Sequence, residues 1–277
     1  MHKLVTHALV AAAMLSGPVA YPETLEKYVK RNIPQVMAEQ ERVFGMRYTD
    51  CPVVELHHAW YLGDGALYEP IIDGTKADKI LLADDVWKSP FSKSDNSTPW
   101  TRSAGNAPLS AILWHELAHH YCNQASKRER GLPWSPIVLH KGFFEKHHQY
   151  PTSVPPEDRE EFVSIQAFTV INEGIAVYVE SYVNPVPDLF DDGMYTENLF
   201  DESTFASPDG PTRLFSPYYG GYHLVAPIIE KYGALGIDYL VTHPPRLTSL
   251  RELPAYGKRA LADLDRMYDA GSEPERR

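Results

Sequence analysis

The feature that most constrains this chain is the segment Trp114-His115-Glu116-Leu117-Ala118-His119, which contains a complete H-E-x-x-H pattern. His115 and His119 are four positions apart, so on an α-helix both imidazoles project from the same face. Two imidazole nitrogens at that spacing can bind one zinc ion. Glu116 can take a proton from a water held by the metal. The motif therefore predicts a helix that supplies two zinc ligands and a general base.

The residues around the motif follow a helical pattern. Apolar side chains recur at three- and four-residue steps, at Leu109, Ile112, Leu113, Leu117 and Ala118. Asn106 before Ala107-Pro108 is a candidate N-cap with proline in the first turn, and the predicted helix covers residues 107–127. The alternative interpretation is a pair of structural histidines. The apolar helical context favours a zinc site.

A catalytic zinc site needs a third protein ligand, with the fourth position left for water. The metzincin continuation of the motif is absent, because Cys122 and Ala125 stand where Gly and His are required. Downstream, Asn172-Glu173-Gly174-Ile175-Ala176 is followed by Tyr178-Val179-Glu180. This segment resembles the glutamate helix of the gluzincins, the zinc peptidases that use two histidines and one glutamate. By that resemblance Glu173 is the third ligand of one zinc ion per chain.

The chain departs from the known gluzincin branches. The interval in sequence between His119 and Glu173 is far longer than in aminopeptidase-N relatives. No Gly-x-Met-Glu-Asn segment precedes the motif, so aminopeptidase activity is not implied. Val177 stands where the thermolysin branch has an aspartate. The chain is therefore similar to a divergent gluzincin of the peptidase MA-like group, and the resemblance covers the two motif helices.

A peptidase of this kind also needs a donor for the negative charge that develops on the carbonyl oxygen. Gluzincins supply it from a residue downstream of the glutamate helix. The aromatic segment Tyr218 to Val225 runs into an apolar helix that ends near Gly233. By resemblance, Tyr222 and His223 are the candidates, with Tyr219 behind them. The alternative is that these aromatic side chains only pack.

The pattern of elements predicts an α+β protein that is mainly helical. Residues 22–44 and 157–183 have helical periodicity, whereas residues 51–60 and 79–86 are rich in β-branched and apolar residues and predict strands. The resemblance implies a zincin-like fold, with a small N-terminal sheet, an active-site helix and a helical C-terminal part. It also implies that one strand holds substrate in extended form. Residues 21–270 form one predicted catalytic domain, and residues 271–277 a disordered tail.

Residues 1–20 have the shape of a signal peptide, with one basic residue, a short apolar core and a small residue at a cleavage position. This predicts a secreted or periplasmic protein. The alternative is a buried N-terminal helix. Cys51 and Cys122 fit either one disulfide in an oxidising compartment or two unpaired buried thiols.

The formal net charge of −11 argues against nucleic-acid binding, which needs a basic face. No apolar run in the body of the chain has the length expected of a membrane span. Together the features predict a zinc-dependent metallopeptidase that hydrolyses peptide or protein substrates, with Glu116 as general base. Two alternatives remain: a zinc hydrolase of a non-peptide amide, and a non-catalytic zincin fold that binds a peptide or a partner protein.

Overall fold

The computed structural model describes residues 24–57, 66–70, 77–83, 87–88, 101–102, 108–147, 154–185, 218 and 220–271. Within these residues the protein is α+β and mainly helical, which confirms the predicted class. The helices are α1 (Leu25–Phe44), α2 (Leu109–Arg130), α3 (Pro136–Leu139), α4 (Lys141–His147), α5 (Arg159–Glu180), α6 (Gly221–Tyr232), α7 (Ala234–Thr242) and α8 (Leu253–Gly271). The strands are β1 (Val53–His57), β2 (Ala66–Glu69), β3 (Lys79–Ala83), β4 (Trp87–Lys88) and β5 (Thr101–Arg102).

The chain divides into two compact units. The first unit comprises Met1–Tyr121 and Val179–Val186, and the second comprises Cys122–Tyr178 and Pro187–Arg277. Helices α2 and α5 each contribute residues to both units. The prediction of a single catalytic domain over residues 21–270 stays a prediction.

The first unit begins with α1. The Thr24 side chain accepts a hydrogen bond from the Lys27 amide, which caps the N-terminus of the helix. Gly45 ends the helix with φ 79°, a left-handed conformation that glycine adopts without steric penalty. The Gly45 N–H donates to the backbone carbonyl oxygen of Glu41. One face of the helix is apolar and buried, with Val29, Ile33 and Val36 each 3% exposed or less.

A three-stranded sheet in the first unit has the strand order β1-β3-β2. β1 is parallel to β3, with Val53 opposite Lys79, and β2 is antiparallel to β3, with Ala66 opposite Leu82. β3 is the most buried strand because it lies in the centre. β2 was not predicted from the sequence, and it is the antiparallel edge strand of this sheet. A further short pair, β4 and β5, is antiparallel.

The second unit is helical in the part that the structure describes. Its core consists of large side chains with almost no exposure, among them Phe143, Ile165, Ile171, Ile175, Ile228 and Ile237. Helices α6, α7 and α8 pack together: Gly236 lies against Ile228, and Gly257 against Leu224. Burial of these apolar faces is the dominant stabilising contribution.

Predicted and observed boundaries agree within a few residues. The helix predicted over 107–127 spans Leu109–Arg130, and the one predicted over 157–183 is a 3₁₀ turn, Pro156–Asp158, followed by α5. The connection between these two helices carries the short helices α3 and α4, which the sequence did not predict. The predicted signal peptide (1–20), the candidate cap Asn106, and residues 272–277 of the predicted tail lie outside the described residues.

Among the described helices, the stretch Pro156–Glu180 is long and apolar enough to cross a membrane by length and composition. This differs from the prediction that no apolar run in the body of the chain could do so. However, 61% of its most apolar window is buried inside the structure, and the core helix of a soluble protein has the same character. The absence of a membrane span stays a prediction.

Candidate metal centre

The three predicted metal ligands form one group. Ligand atoms of His115, His119 and Glu173 all lie within 4.8 Å of one another. The two histidines are 9% and 8% exposed, and Glu173 is partly buried. This is the one cluster of three or more potential ligand side chains found among the described residues. A group of two imidazoles and one carboxylate, so shielded from solvent, could hold a metal ion.

The donor set of the group is one that zinc accepts. Two imidazole nitrogens and one carboxylate oxygen are among the donors that zinc takes at catalytic sites. With bonds of about 2.1 Å and tetrahedral angles, ligand atoms would stand about 3.4 Å apart. The observed limit of 4.8 Å exceeds this spacing by about 1.4 Å, so the ligand atoms would lie closer together around a bound zinc ion.

Helix α2 positions the two histidines as its periodicity predicts. The imidazole centroids of His115 and His119 are 4.8 Å apart and the rings are nearly perpendicular, at 82°. The helix begins directly after Pro108, whose carbonyl accepts from the Ala111 amide at 3.0 Å. Glu116, between the histidines in sequence, is 7% exposed. A carboxylate so shielded from water interacts strongly with nearby charge.

Glu180 lies at the second nitrogen of His115. Its Oε2 is 3.1 Å from His115 Nδ1, with the two side chains 16% and 11% exposed. An Nδ1–H that donates to this carboxylate leaves Nε2 as the unprotonated nitrogen, the form that binds a metal. Glu180 is therefore a candidate for orienting His115, and the sequence analysis did not assign it. Its signal was present, because Glu180 follows Glu173 by two helical turns and so lies on the same face.

Other contacts in the first unit hold Glu180 in place. Asn184 Nδ2 donates to the other carboxylate oxygen, Oε1, at 2.8 Å. Tyr182 stacks on Trp114, with ring centroids 5.2 Å apart, and meets Phe44 edge to face at 6.0 Å. Since Trp114 precedes His115 directly, this aromatic cluster fixes the end of the α5 segment against the start of the motif.

Tyr68 on strand β2 lies next to His119. The ring of Tyr68 stacks on the His119 imidazole with centroids 6.4 Å apart and an angle of 27°. The next residue, His120, is fully buried, with Nδ1 3.3 Å from Asp78 Oδ2 and Nε2 3.1 Å from Asp50 Oδ1. His120 thus has a structural role, because it ties α2 to the segments that flank the sheet.

Gly174, the residue after Glu173, lies in backbone contact with Gly221 on α6. A Cβ atom on Gly174 would lie 2.3 Å from the carbonyl carbon of Gly221, and one on Gly221 would lie 2.1 Å from the Val170 carbonyl oxygen. The three nearest atoms all belong to Gly221 on α6. Two glycines at one crossing let the helix backbones touch.

Trp134, in the connection between the ligand helices, bonds to residues of both. Its backbone N–H donates to Asn123 Oδ1 at 2.8 Å, and its indole N–H donates to Asn172 Oδ1 at 2.8 Å. Asn123 follows His119 by one turn on α2, and Asn172 directly precedes Glu173. The indole also packs on Phe168, with centroids 4.3 Å apart. The long connection therefore fixes the turn of α5 that carries Glu173.

The structure places the predicted oxyanion donors on the first turn of α6. Tyr222 is half-buried and its ring is 5.8 Å from that of Tyr178, whereas His223 is exposed. Burial, followed by the charges of Glu230 and Tyr222, raises the pKa of Tyr178. Tyr219 lies outside the described residues. The contact of Gly221 with Gly174 places Tyr222 next to the α5 turn that carries Glu173.

The two cysteines are free thiols. Cys51 is exposed, with its sulfur 3.4 Å from Met37 Sδ, and Cys122 is buried. Of the two alternatives left open by the sequence, the disulfide is therefore wrong, and only one of the unpaired thiols is buried. Burial raises the pKa of the Cys122 thiol, which suppresses its thiolate.

Comparison of the chain with protein-family models, with curated proteins and with solved structures found no match. The case for a function therefore rests on the geometry of the metal centre.

Proposed function

We propose that the protein is a zinc-dependent metallopeptidase with a zincin-like fold, related to the gluzincins. One observation carries the proposal: His115, His119 and Glu173 lie within 4.8 Å of one another although Glu173 belongs to a different helix, far from His119 in sequence. A chance H-E-x-x-H sequence gives no reason for a partly buried carboxylate to meet both imidazoles. Zinc, when bound there, would polarise a substrate carbonyl and lower the pKa of a water.

Each residue of the group has a distinct task in this proposal. The two imidazoles and the Glu173 carboxylate hold the metal. Glu180 accepts the Nδ1–H of His115 and keeps the ring in the ligand tautomer. Glu116 takes the proton of the attacking water and passes it to the nitrogen of the leaving amine. Glu116 is suited to this role because it lies next to His115 and is largely shielded from solvent.

Strand β2 is the proposed binding edge for the substrate. It is the antiparallel edge strand of its sheet, and its Tyr68 stacks on the ligand His119. A peptide added to this edge in extended form would be held by main-chain hydrogen bonds. Leu67 and Glu69 are exposed on the strand. The sequence analysis gave this role to one of the two predicted strands, in residues 51–60 and 79–86, whereas the contact with His119 supports β2.

Tyr222 is the preferred donor for the oxyanion. Its half-buried phenol is better shielded from water than the exposed imidazole of His223, and a donor acts most strongly in a water-excluded site. The neighbouring Gly221 fixes the first turn of α6 beside the turn that carries Glu173. Tyr222→Phe is expected to lower kcat more than it changes KM.

The decisive experiment is elemental analysis of wild type, Glu173→Ala and Glu116→Gln, purified without added zinc. We expect about one zinc per chain in wild type and in Glu116→Gln, and a sharp fall in Glu173→Ala. Glu145→Ala, at an exposed position on α4, is the matched control and should keep its zinc.

Peptide hydrolysis is then measured on the zinc-loaded proteins with a peptide library. Wild type should cleave and Glu116→Gln should not. Zinc retained by Glu173→Ala would overturn the ligand set. If the zinc-loaded wild type cleaves only non-peptide amides, the proposed substrate class of peptides would be wrong and that of non-peptide amides would take its place. Zinc without any hydrolysis would favour the partner-binding alternative. Export of the chain, directed by residues 1–20, stays part of the proposal.

A further inference from the structure

A cavity apart from the metal centre lies in the second unit. Its volume is about 430 Å³, within the range of cavities that hold small ligands. It is lined by the end of α2, the junction between α3 and α4, the first turns of α5 and the segment Pro244–Arg246. None of the metal-centre residues His115, His119 and Glu173 lines it.

Two arginines in the wall of this cavity lack an acidic partner. Neither Arg130 nor Arg246 forms an ion pair within the part of the chain that the structure describes. Arg130 is partly buried and donates to the Val241 carbonyl oxygen, at 3.4 Å. Burial lowers the pKa of the Arg130 guanidinium, as expected where no carboxylate compensates the lost hydration. A guanidinium in such a place favours a carboxylate or phosphate ligand.

Acidic side chains line the same cavity. Glu157 and Glu160, before and at the first turn of α5, have no ion pair among the described residues, while Glu161 lies 3.5 Å from His140 Nδ1. The cavity therefore presents both guanidinium and carboxylate groups to a ligand.

The rest of the lining is largely apolar. Leu139, Phe168, Pro244 and Pro245 contribute to it, and Ser164 adds a hydroxyl group. A ligand that complements the lining has a carboxylate, an ammonium group and an apolar body. A short peptide with free termini and an apolar side chain has these groups and matches the size of the space.

We propose that this cavity binds a short zwitterionic peptide, with the carboxylate on Arg130 and Arg246 and the ammonium group on Glu157 and Glu160. This site does not depend on the metal centre. Bound there, the peptide would contact α5, the helix that carries Glu173, near its N-terminus.

The test uses isothermal titration of the full chain with leucyl-leucine. The protein carries Glu116→Gln and is kept metal-free, so that neither turnover nor the metal contributes. We expect saturable binding that falls at least tenfold in Arg246→Gln and in Glu160→Gln. Arg47→Gln is the matched control, because Arg47 is 88% exposed and belongs to the first unit. The Arg47→Gln variant should bind leucyl-leucine with the same affinity as the protein that carries Glu116→Gln alone.

Three further titrations separate the ligand groups. N-acetyl leucyl-leucine and leucyl-leucine amide should each bind at least tenfold more weakly than the free dipeptide, since each lacks one charge. Inorganic phosphate should bind more weakly still. No binding of the dipeptide, or equal binding by the blocked peptides, would overturn the proposal. So would unchanged affinity in Arg246→Gln, or phosphate binding as tightly as the dipeptide. A failure of zinc binding in the metal experiment leaves these outcomes unaffected.

Discussion

The Nδ1 atom of His115 lies 3.1 Å from Oε2 of Glu180, so the second carboxylate of α5 contacts the first imidazole of the motif. Glu173 and Glu180 are two turns apart on one helix, and His115 lies close to both. In the proposed site, Glu173 binds the metal and Glu180 orients the ligand His115.

Replacement of Glu180 should weaken metal binding without removing a ligand. We expect Glu180→Ala to lower zinc affinity about 10- to 100-fold, because the His115 tautomer is no longer fixed. Glu180→Gln should lose less zinc affinity than Glu180→Ala, since the glutamine amide oxygen can still accept a hydrogen bond from His115 Nδ1–H. Competition with a chromogenic chelator measures the affinity. Thermal unfolding of the metal-free proteins controls for stability, and unchanged affinity in Glu180→Ala would remove the orienting role.

Gly174→Ala should destabilise the protein. The new methyl group would overlap the Gly221 backbone, and α5 and α6 would have to separate. Overpacking of this kind costs about 1–3 kcal/mol. Gly142→Ala, on α4, is the matched control: it meets nothing within 4 Å, and we expect it to be neutral or stabilising by up to about 1 kcal/mol. Urea unfolding measures the stability of both variants. Equal stability of Gly174→Ala and Gly142→Ala would contradict the observed helix contact.

The two thiols should differ in reactivity. Native protein should show one thiol that reacts with Ellman's reagent, Cys51, and the denatured protein two. Cys122 is buried and the pKa of its thiol is raised by burial, so both access and thiolate fraction are low. Cys51→Ser should abolish the native reaction. Two reactive thiols before denaturation, or none after it, would contradict this assignment.

The contact of Asp158 with Lys146 and His147 should give a pH-dependent contribution to stability. Lys146 Nζ lies 2.7 Å and His147 Nε2 3.0 Å from Asp158 Oδ2, and the hydrogen bond from Lys146 is the main cause that lowers the pKa of this carboxyl. A lowered carboxyl pKa stabilises the folded state above the ordinary value of 3.8. This stabilisation is lost as the pH falls below that value and through the folded pKa.

Asp158→Asn should therefore lower the urea midpoint at pH 7, and the difference from wild type should disappear as the pH falls below 3.8. Glu145→Gln is the matched control on α4, because its pair with Lys141 is exposed and contributes little. Its urea midpoint should follow that of wild type at every pH. If the urea midpoints of Asp158→Asn and wild type instead moved further apart as the pH falls, the predicted direction of the pH dependence would be wrong.

Local patterns were sufficient to predict the two helices that carry the candidate metal ligands. The four-residue spacing of His115 and His119 and the apolar positions around them are properties of one helix, so α2 follows from the sequence. The resemblance of residues 172–180 to a gluzincin helix placed Glu173 on α5. The edge strand β2 was missed, because four residues between turns give too short a pattern to separate from a loop.

The sequence by itself determined the helix period, and thereby that His115, Glu116 and His119 share one stretch of α2. Only the tertiary structure decided that Glu173 meets the two imidazoles, that Glu180 lies at the Nδ1 atom of His115, and that Gly174 contacts Gly221. The physical reason is the range of the interactions. Helix periodicity follows from bonds between residues four apart, whereas the packing of α5 depends on surfaces contributed by residues far apart in the chain.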